Sequence, residues 1–304
     1  MSLPIVSVIV PTYKRADSLP RAVDSVLNQT YPNVEVIVVD DNDPDTEWRK
    51  ATSKLMERYS TDARVRYIKH ECNKNGSAAR NTGMLAAKGD YLCFLDDDDY
   101  YLPQKIEKQV KYMKMHPSVQ GCFCDSRFGN TPRIVKWKKD FSRNILLGLD
   151  SPQTSSWLIH KDAVHALNGF DASYVRHQDY EFLLRFYKKR FILGKVDEIL
   201  YVRDSSKVYN APQGRKREQV KRKLLEDFDD VILAIDSKEH DFRKTVFTKN
   251  MAKVFENYAK RKELGDAFRV LKEMLCCSII LSAKYITVDV FDAIGDEVNK
   301  RIYK

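Results

Sequence analysis

The chain has 304 residues, 43% hydrophobic and 31% charged, with a formal net charge of +9, which supplies a real core for one large domain or a medium domain with an appendage. A bilayer-spanning segment is excluded, because the longest apolar stretch, 275–290, is short and carries Lys284 and Asp289. The opening MSLPIVSVIV lacks a basic leader, so the expected compartment is the cytoplasm.

The first hundred residues alternate strand and helix. Ile5–Val10 reads as a strand, followed by a helix over 17–28 with Leu19, Val23, Val26 and Leu27 at helical spacing and Asp17 or Ser18 as cap. Val34–Val39 is a second continuous apolar strand, Glu47–Tyr59 a helix, VRYIK a third strand, Ser77–Ala87 a helix closed by Gly89, and YLCFL a fourth strand. SPQTSSWLIHK predicts a later strand, and a helix after Asp179 carries Phe182, Leu183 and Phe186. Continuous apolar strands separated by helices predict an α/β fold, with a mostly parallel sheet covered on both faces. The domain reading is 1–205 for this unit and 206–304 for a helical region with Leu224, Leu225, Phe228, Val231, Ile232, Phe255, Tyr258, Phe268, Leu271 and Leu275 as its apolar positions.

The basic residues concentrate late, in YKKRF, GRKREQVKRKL and YAKRK, either as solvated faces or as a patch resting on the inner face of a membrane. No nucleic-acid motif accompanies them, so nucleic acid is not an expected partner. All six cysteines read as small core or surface residues, and Cys122 and Cys124 are expected to leave opposite faces of a strand, unable to share a metal.

Three polar segments follow strands of the sheet: PTYKR the first, DDND the second and DDDD the fourth. In an open α/β sheet, ligands bind outside the carboxyl ends of the strands, so these segments converge on one rim. Two unit charges about 4 Å apart repel by roughly 4 kcal/mol at an effective dielectric near 20, so four successive acids want solvent or a cation. Calcium loops are rejected, since the run from Asp41 places Thr46 where glycine belongs and Thr52 where glutamate belongs. A receiver domain would end sooner and has no use for a second acidic run. In an extended segment Asp96 and Asp98 would share one side, with Asp97 and Asp99 opposite.

Three stretches, VSVIVPTYKRADSLPRAVDSVLNQTYPNVEVIVVDDND, NGSAARNTGMLAAKGDYLCFLDDDD and LNGFDASYVRHQDYEFLLR, resemble in order and spacing the signatures of inverting family 2 glycosyltransferases of the bacterial cell-surface glycan type. The resemblance covers about residues 4 to 205 and implies the GT-A fold, a Rossmann-like open mixed sheet. It implies a nucleotide-sugar donor, a UDP-sugar above others, a glycan or lipid-linked glycan acceptor, and Mn²⁺ or Mg²⁺ as cofactor. Asp98 should ligate the metal and Asp96 approach the ribose or a metal-bound water, with Asp97 also on the nucleotide side. Asp41 would accept the N3–H of uracil, with Asp40 structural. Pro11, Thr12 and Tyr13 would flank base and ribose, Tyr13 alternatively packing on the rim; Gly76 would admit close backbone approach, and Arg80 would lie near the nucleotide unless it is a plain helix-surface arginine. Asp179 matches the catalytic base, its alternative being a helix N-cap acid. Gln178 departs from the usual glutamate beside the base, which removes a charge on the acceptor side, where His177 and Trp157 are further candidates; Trp157 otherwise belongs to the core. Asp204 stands where the family often has a metal-ligating histidine, either as an oxygen ligand or as a surface-loop acid. The competing readings are a catalytically silent nucleotide-sugar-binding or scaffold protein, and a nucleotidyltransferase, whose basic phosphate-binding fingerprint after the first strand is missing.

Overall fold

The structure, a computed structural model, describes residues 3–203 and 212–286, which form two compact units. The first comprises 3–141 and 151–203, the second 142–150 and 212–286. Segment 142–150, assigned from sequence to the first domain, thus groups with the helical region.

The first unit is built on strands β1 (Val6–Thr12), β2 (Val34–Asp40), β3 (Val65–Lys69), β4 (Tyr91–Phe94), β5 (Tyr100–Tyr101), β6 (Gly121–Phe128), β7 (Thr131–Arg133), β8 (Leu158–His160) and β9 (Leu193–Arg203). They form one mixed sheet in the order β3-β2-β1-β4-β8-β6-β9-β5, with β7 paired to β6. β1 runs parallel to both β2 and β4, and β2 parallel to β3. Their β-branched runs are buried on both faces, as parallel strands under helices require. The sheet turns antiparallel at β8, which joins β4 to β6, and parallel again between β6 and β9. Register puts Thr12 opposite Asp40 and Ile9 opposite Phe94, so the carboxyl ends of β1, β2 and β4 open on one rim.

Helices α1 (Leu19–Leu27), α2 (Glu47–Met56), α3 (Asn75–Ala86) and α4 (Lys105–Met115) follow the early strands. The chain then passes through α5 (Ser142–Leu146), in the second unit, to α6 (Lys161–Ala166) and α7 (Gln178–Lys188). α1 buries Leu19, Ala22, Val23 and Val26, the stripe its spacing predicts. α3 begins two residues before the expected start, where Asn75 Oδ1 accepts the Ser77 N–H at 2.9 Å. It packs close on β1, since a Cβ on Gly83 would lie 2.4 Å from the Ile9 side chain. Cys122 and Cys124 share one face of β6, as a two-residue spacing requires, which corrects the expectation of opposite faces. Both are buried with Cys93 in the core cluster, and all six thiols are free.

The second unit adds α8 (Gly214–Asp227), α9 (Asp229–Asp236), α10 (Phe242–Lys260), α11 (Leu264–Cys277) and α12 (Ile279–Tyr285). Met251, Val254, Phe255 and Tyr258 of α10 meet Ala267, Val270 and Met274 of α11 in its core, whereas Phe268 and Leu275 stay exposed. Glu218 accepts from Arg269 at 2.7 Å, Arg222 at 2.8 Å and the Tyr258 hydroxyl at 2.7 Å. Those bonds, the one from Arg269 foremost, hold its carboxyl down at about 2. Among the described residues no helix is long and apolar enough to cross a membrane.

Arg49 of α2 ties the rim at β2: it faces the Asp40 carboxylate at 3.1 Å, donates to the His70 carbonyl at 2.7 Å and also bonds the Asn42 carbonyl. Both side chains are buried, so removing the guanidinium leaves Asp40 without its cation. Arg49→Met is expected to cost about 3–5 kcal/mol in urea unfolding, with the denaturant slope unchanged.

Candidate active site

The ends of β1 and β2 are fixed first. Pro11 and Thr12 pair with Val39 and Asp40, and the chain then turns through Lys14, a left-handed residue at φ 59°. The Lys14 N–H donates to Asn42 Oδ1 at 2.9 Å, and its ammonium lies over the rings of Trp48 at 4.2 Å and Tyr13 at 4.9 Å. Tyr13 keeps 37% of its surface exposed on the rim. Asp40 is fully buried; besides Arg49 it accepts the Asn42 backbone N–H at 2.9 Å and the Tyr67 hydroxyl at 2.5 Å, a purely structural set. Asp41 is buried too. Its Oδ1 lies 2.7 Å from His70 Nδ1 and accepts the Lys74 N–H at 2.8 Å, while Oδ2 accepts from Asn73 Nδ2 at 2.9 Å. Asp41 therefore anchors the loop that launches α3, and Oδ2 carries one donor where a carboxylate oxygen can take two.

The four successive acids are not extended. The Asp99 N–H donates to the Asp96 carbonyl at 3.0 Å, and this turn replaces the expected alternation. Carboxylate oxygens of Asp96, Asp98 and Asp99 lie within 4.8 Å of one another. Asp97 alone turns back toward β1, accepting the Tyr13 N–H at 3.4 Å and facing Arg15 at 3.6 Å. Arg15 also makes a close ion pair with Asp98, and Arg21 Nη2 donates to the Asp98 carbonyl at 2.8 Å. The Ser155 hydroxyl donates to Asp99 Oδ2 at 2.7 Å. Burial, with the neighbouring Asp96, pushes the Asp99 carboxyl up to about 8. Burial likewise carries Asp97 to about 7 although Arg15 opposes it, and raises Asp98. A set of hard oxygen donors whose mutual repulsion favours protons is one that a divalent cation would relieve, so these residues fit Mg²⁺ or Mn²⁺.

Arg80, on α3, links this cluster to α7. Its Nη2 donates to Asp96 Oδ1 at 2.6 Å, its Nη1 to Gln178 Oε1 at 2.7 Å, and its guanidinium lies over the Phe170 ring at 5.5 Å. A Cβ on Gly76 would sit 3.1 Å from Arg80 Nη1 and 3.2 Å from Gln178 Oε1, so glycine is what admits this approach. Asp179, next in line on the first turn of α7, is half-buried; loss of hydration raises its carboxyl, with Arg80 opposing and Asp96 adding to the shift. His177 takes a left-handed conformation ahead of the helix and stacks on Tyr180.

Trp157 is a correction: it is fully buried and stacks on Phe182, so its ring belongs to the core beneath α7 and has no face left for an acceptor. Asp204 lies outside the described residues. Sequence reasoning passed over Arg15, Arg21, His70, Ser155 and the part played by Asp99. The basic residues inside PTYKR were a usable signal for Arg15, whereas Ser155 comes from a segment with no motif of its own.

The profile of Glycosyl transferase family 2 matches residues 7–167. An uncharacterized glycosyltransferase of Haemophilus influenzae is 31% identical over 188 residues, covering 60% of this chain and 72% of that protein. The amylovoran biosynthesis glycosyltransferase AmsB of Erwinia amylovora is 30% identical over 194 residues, covering 59% and 62%. The UDP-Glc:alpha-D-GlcNAc-diphosphoundecaprenol beta-1,3-glucosyltransferase WfaP of Escherichia coli is 37% identical over 110 residues, 36% and 41% of the two chains. Among solved structures, S. aureus TarS 1–349 in complex with UDP-GlcNAc superposes with a TM-score of 0.61 at 16% identity, over 97% of this chain and 88% of that one.

The Arg80 bridge is testable by itself. A double-mutant cycle of Arg80→Ala and Gln178→Ala in urea unfolding should give a coupling of about 1–1.5 kcal/mol. Strict additivity would mean that the two side chains do not meet in solution.

Proposed function

Since the chain belongs to glycosyl transferase family 2 and has the GT-A fold, we propose that it is a metal-dependent inverting enzyme. It moves a hexosyl or N-acetylhexosaminyl group from a UDP-sugar to a hydroxyl of a glycan or lipid-linked glycan, at the cytoplasmic side of the membrane. The observation that carries this reading is the Arg80 bridge, because it joins the acidic turn to the helix that bears Asp179 within one unit. The UDP in the proposal is supported by the E. coli relative, whose name specifies UDP-Glc, and by the TarS complexes with UDP and UDP-GlcNAc.

Asp98 and Asp99, with Asp96 beside them, would hold Mn²⁺ or Mg²⁺, which supplies positive charge against the donor diphosphate. Arg15 and Arg21 contribute cations to the same turn. Asp41 offers the free acceptor position of its Oδ2 to the uracil N3–H, and Tyr13 an aromatic face to the base. Asp179 accepts the proton of the acceptor hydroxyl as that oxygen forms its bond to the anomeric carbon and the bond to the diphosphate breaks on the opposite side, giving inversion. A raised proton affinity suits it to this task, and the packing of Phe182 and Phe186 fixes the helix that carries it. Gln178, neutral where the family usually has glutamate, gives its Oε1 to Arg80 and leaves Asp96 as the carboxylate partner of that guanidinium.

In a thermal-shift screen of UDP-, GDP- and dTDP-sugars with Mn²⁺, UDP-sugars should raise the melting temperature most, and Asp98→Ala should abolish the rise. Asp179→Asn should keep the UDP-dependent shift and lower transfer by about 10²–10⁴-fold, with the wild-type product showing the inverted anomer by NMR. Nucleotide binding without transfer across a broad acceptor panel would identify a silent binding protein instead, and release of pyrophosphate a nucleotidyltransferase.

A further inference from the structure

Apart from the exposed Lys216, the basic residues of the run GRKREQVKRKL on α8 separate into two sets. Arg215 faces Asp266, Arg222 pairs with Glu218 and Glu273, and Lys223 with Asp227. Arg217 and Lys221, one turn apart, have no carboxylate partner among the described residues. Apart from the exposed Lys260, α10 divides in the same way: Arg243 and Lys244 pair with Asp229 and Asp241, while Lys249 and Lys253, also one turn apart, pair with no acid among the described residues. These cations of the two helices lie within electrostatic reach of one another, Lys253 and Arg217 both acting on Lys221, and Lys253 on Lys249. Among the described residues no carboxylate acts on Lys221 or Lys249, and Arg143 and Lys284 add positive charge at Lys249.

This cluster differs from a solvated basic face in its burial. Lys221 is only 8% exposed, and Arg217 Nε is buried without an acceptor. Lys249 and Lys253 are half-buried, giving access from outside, and the loop of 142–150 closes on Lys253, a Cβ at Gly148 falling 3.1 Å from its Nζ. Buried cations without counter-charges are costly, and the cost is lifted by a ligand that brings several anionic oxygens at once.

We propose that Arg217, Lys221, Lys249 and Lys253 form an anion site in the second unit that takes a phosphate or diphosphate group. Lys249 and Lys253 draw the anion in, and Lys221 with the Arg217 guanidinium receives it at the buried end. The loss of hydration and the neighbouring cations lower the Lys221 ammonium to about 7, so a bound anion also fixes its charge. The phosphate could belong to a soluble compound or to a lipid headgroup, and two arms of one experiment separate these sources.

In the first arm, melting of the full chain is followed in EDTA at constant ionic strength while inorganic pyrophosphate is raised to about 10 mM. The wild type should gain about 3 °C, and Lys221→Met and Lys253→Met each less than about 1 °C. Without pyrophosphate Lys221→Met should melt no lower than wild type, because it removes a buried unpaired cation; a merely structural lysine would give a lower value. In the second arm, the same proteins are floated with phosphatidylcholine vesicles with or without phosphatidic acid. Binding that requires both phosphatidic acid and Lys221, with no response to pyrophosphate, assigns the phosphate to a headgroup and supports the site. The proposal fails if wild type responds in neither arm, or if both substitutions leave its responses unchanged.

Discussion

Carboxylates crowded at the end of a buried sheet repel one another, and the rim of this sheet carries Asp40, Asp41 and the run from Asp96 to Asp99. The fold meets that repulsion with guanidinium groups set at fixed points: Arg49 on Asp40, Arg15 between Asp97 and Asp98, Arg80 on Asp96. Arginine suits the task because its planar fork serves two acceptors at once. Arg80 uses this most fully, with one nitrogen on the acidic turn and another on α7. The geometry of the site therefore follows from charge balance as much as from the course of the strands.

That balance divides the four acids. The turn between Asp96 and Asp99 brings three of them to one side and leaves Asp97 to fasten the chain after β1. Burial raises the proton affinities of Asp98 and Asp99, and the neighbouring Asp96 adds to both shifts. Asp40 and Asp41, adjacent in sequence, have separate duties for a related reason. One closes a buried network with Arg49 and Tyr67, and the other gathers donors from the loop ahead of α3.

The second unit offers a contrast in how positive charge is handled. Glu218 sits among Arg222, Arg269 and Tyr258 with its charge fully compensated, and this network knits α8, α10 and α11. One residue before Glu218 and Arg222 along α8, Arg217 and Lys221 have the charge of Lys253 near Lys221 and no carboxylate partner among the described residues. Within a single helix, then, the neighbouring helices decide which cations are structural and which stay available.

Much of this protein was written in local pattern. The strands β1 to β4, the helices between them and the convergence of PTYKR, DDND and DDDD on one rim followed from hydrophobic periodicity and from the rule that parallel strands expose their carboxyl ends together. Family 2 membership was legible in the ordered motifs and agrees with the profile match over 7–167. Side-chain partnership was not legible, because contacts such as Arg80 with Gln178 or Ser155 with Asp99 join residues far apart in the chain and leave no trace in spacing. The turn at Asp96–Asp99, the burial of Trp157 under α7, the shared face of Cys122 and Cys124 and the grouping of 142–150 with the helical unit were likewise decided by packing. Sequence determined which groups reach the rim, since that depends on strand order and period; tertiary structure determined which of them meet, since that depends on distances set by every element packed around them.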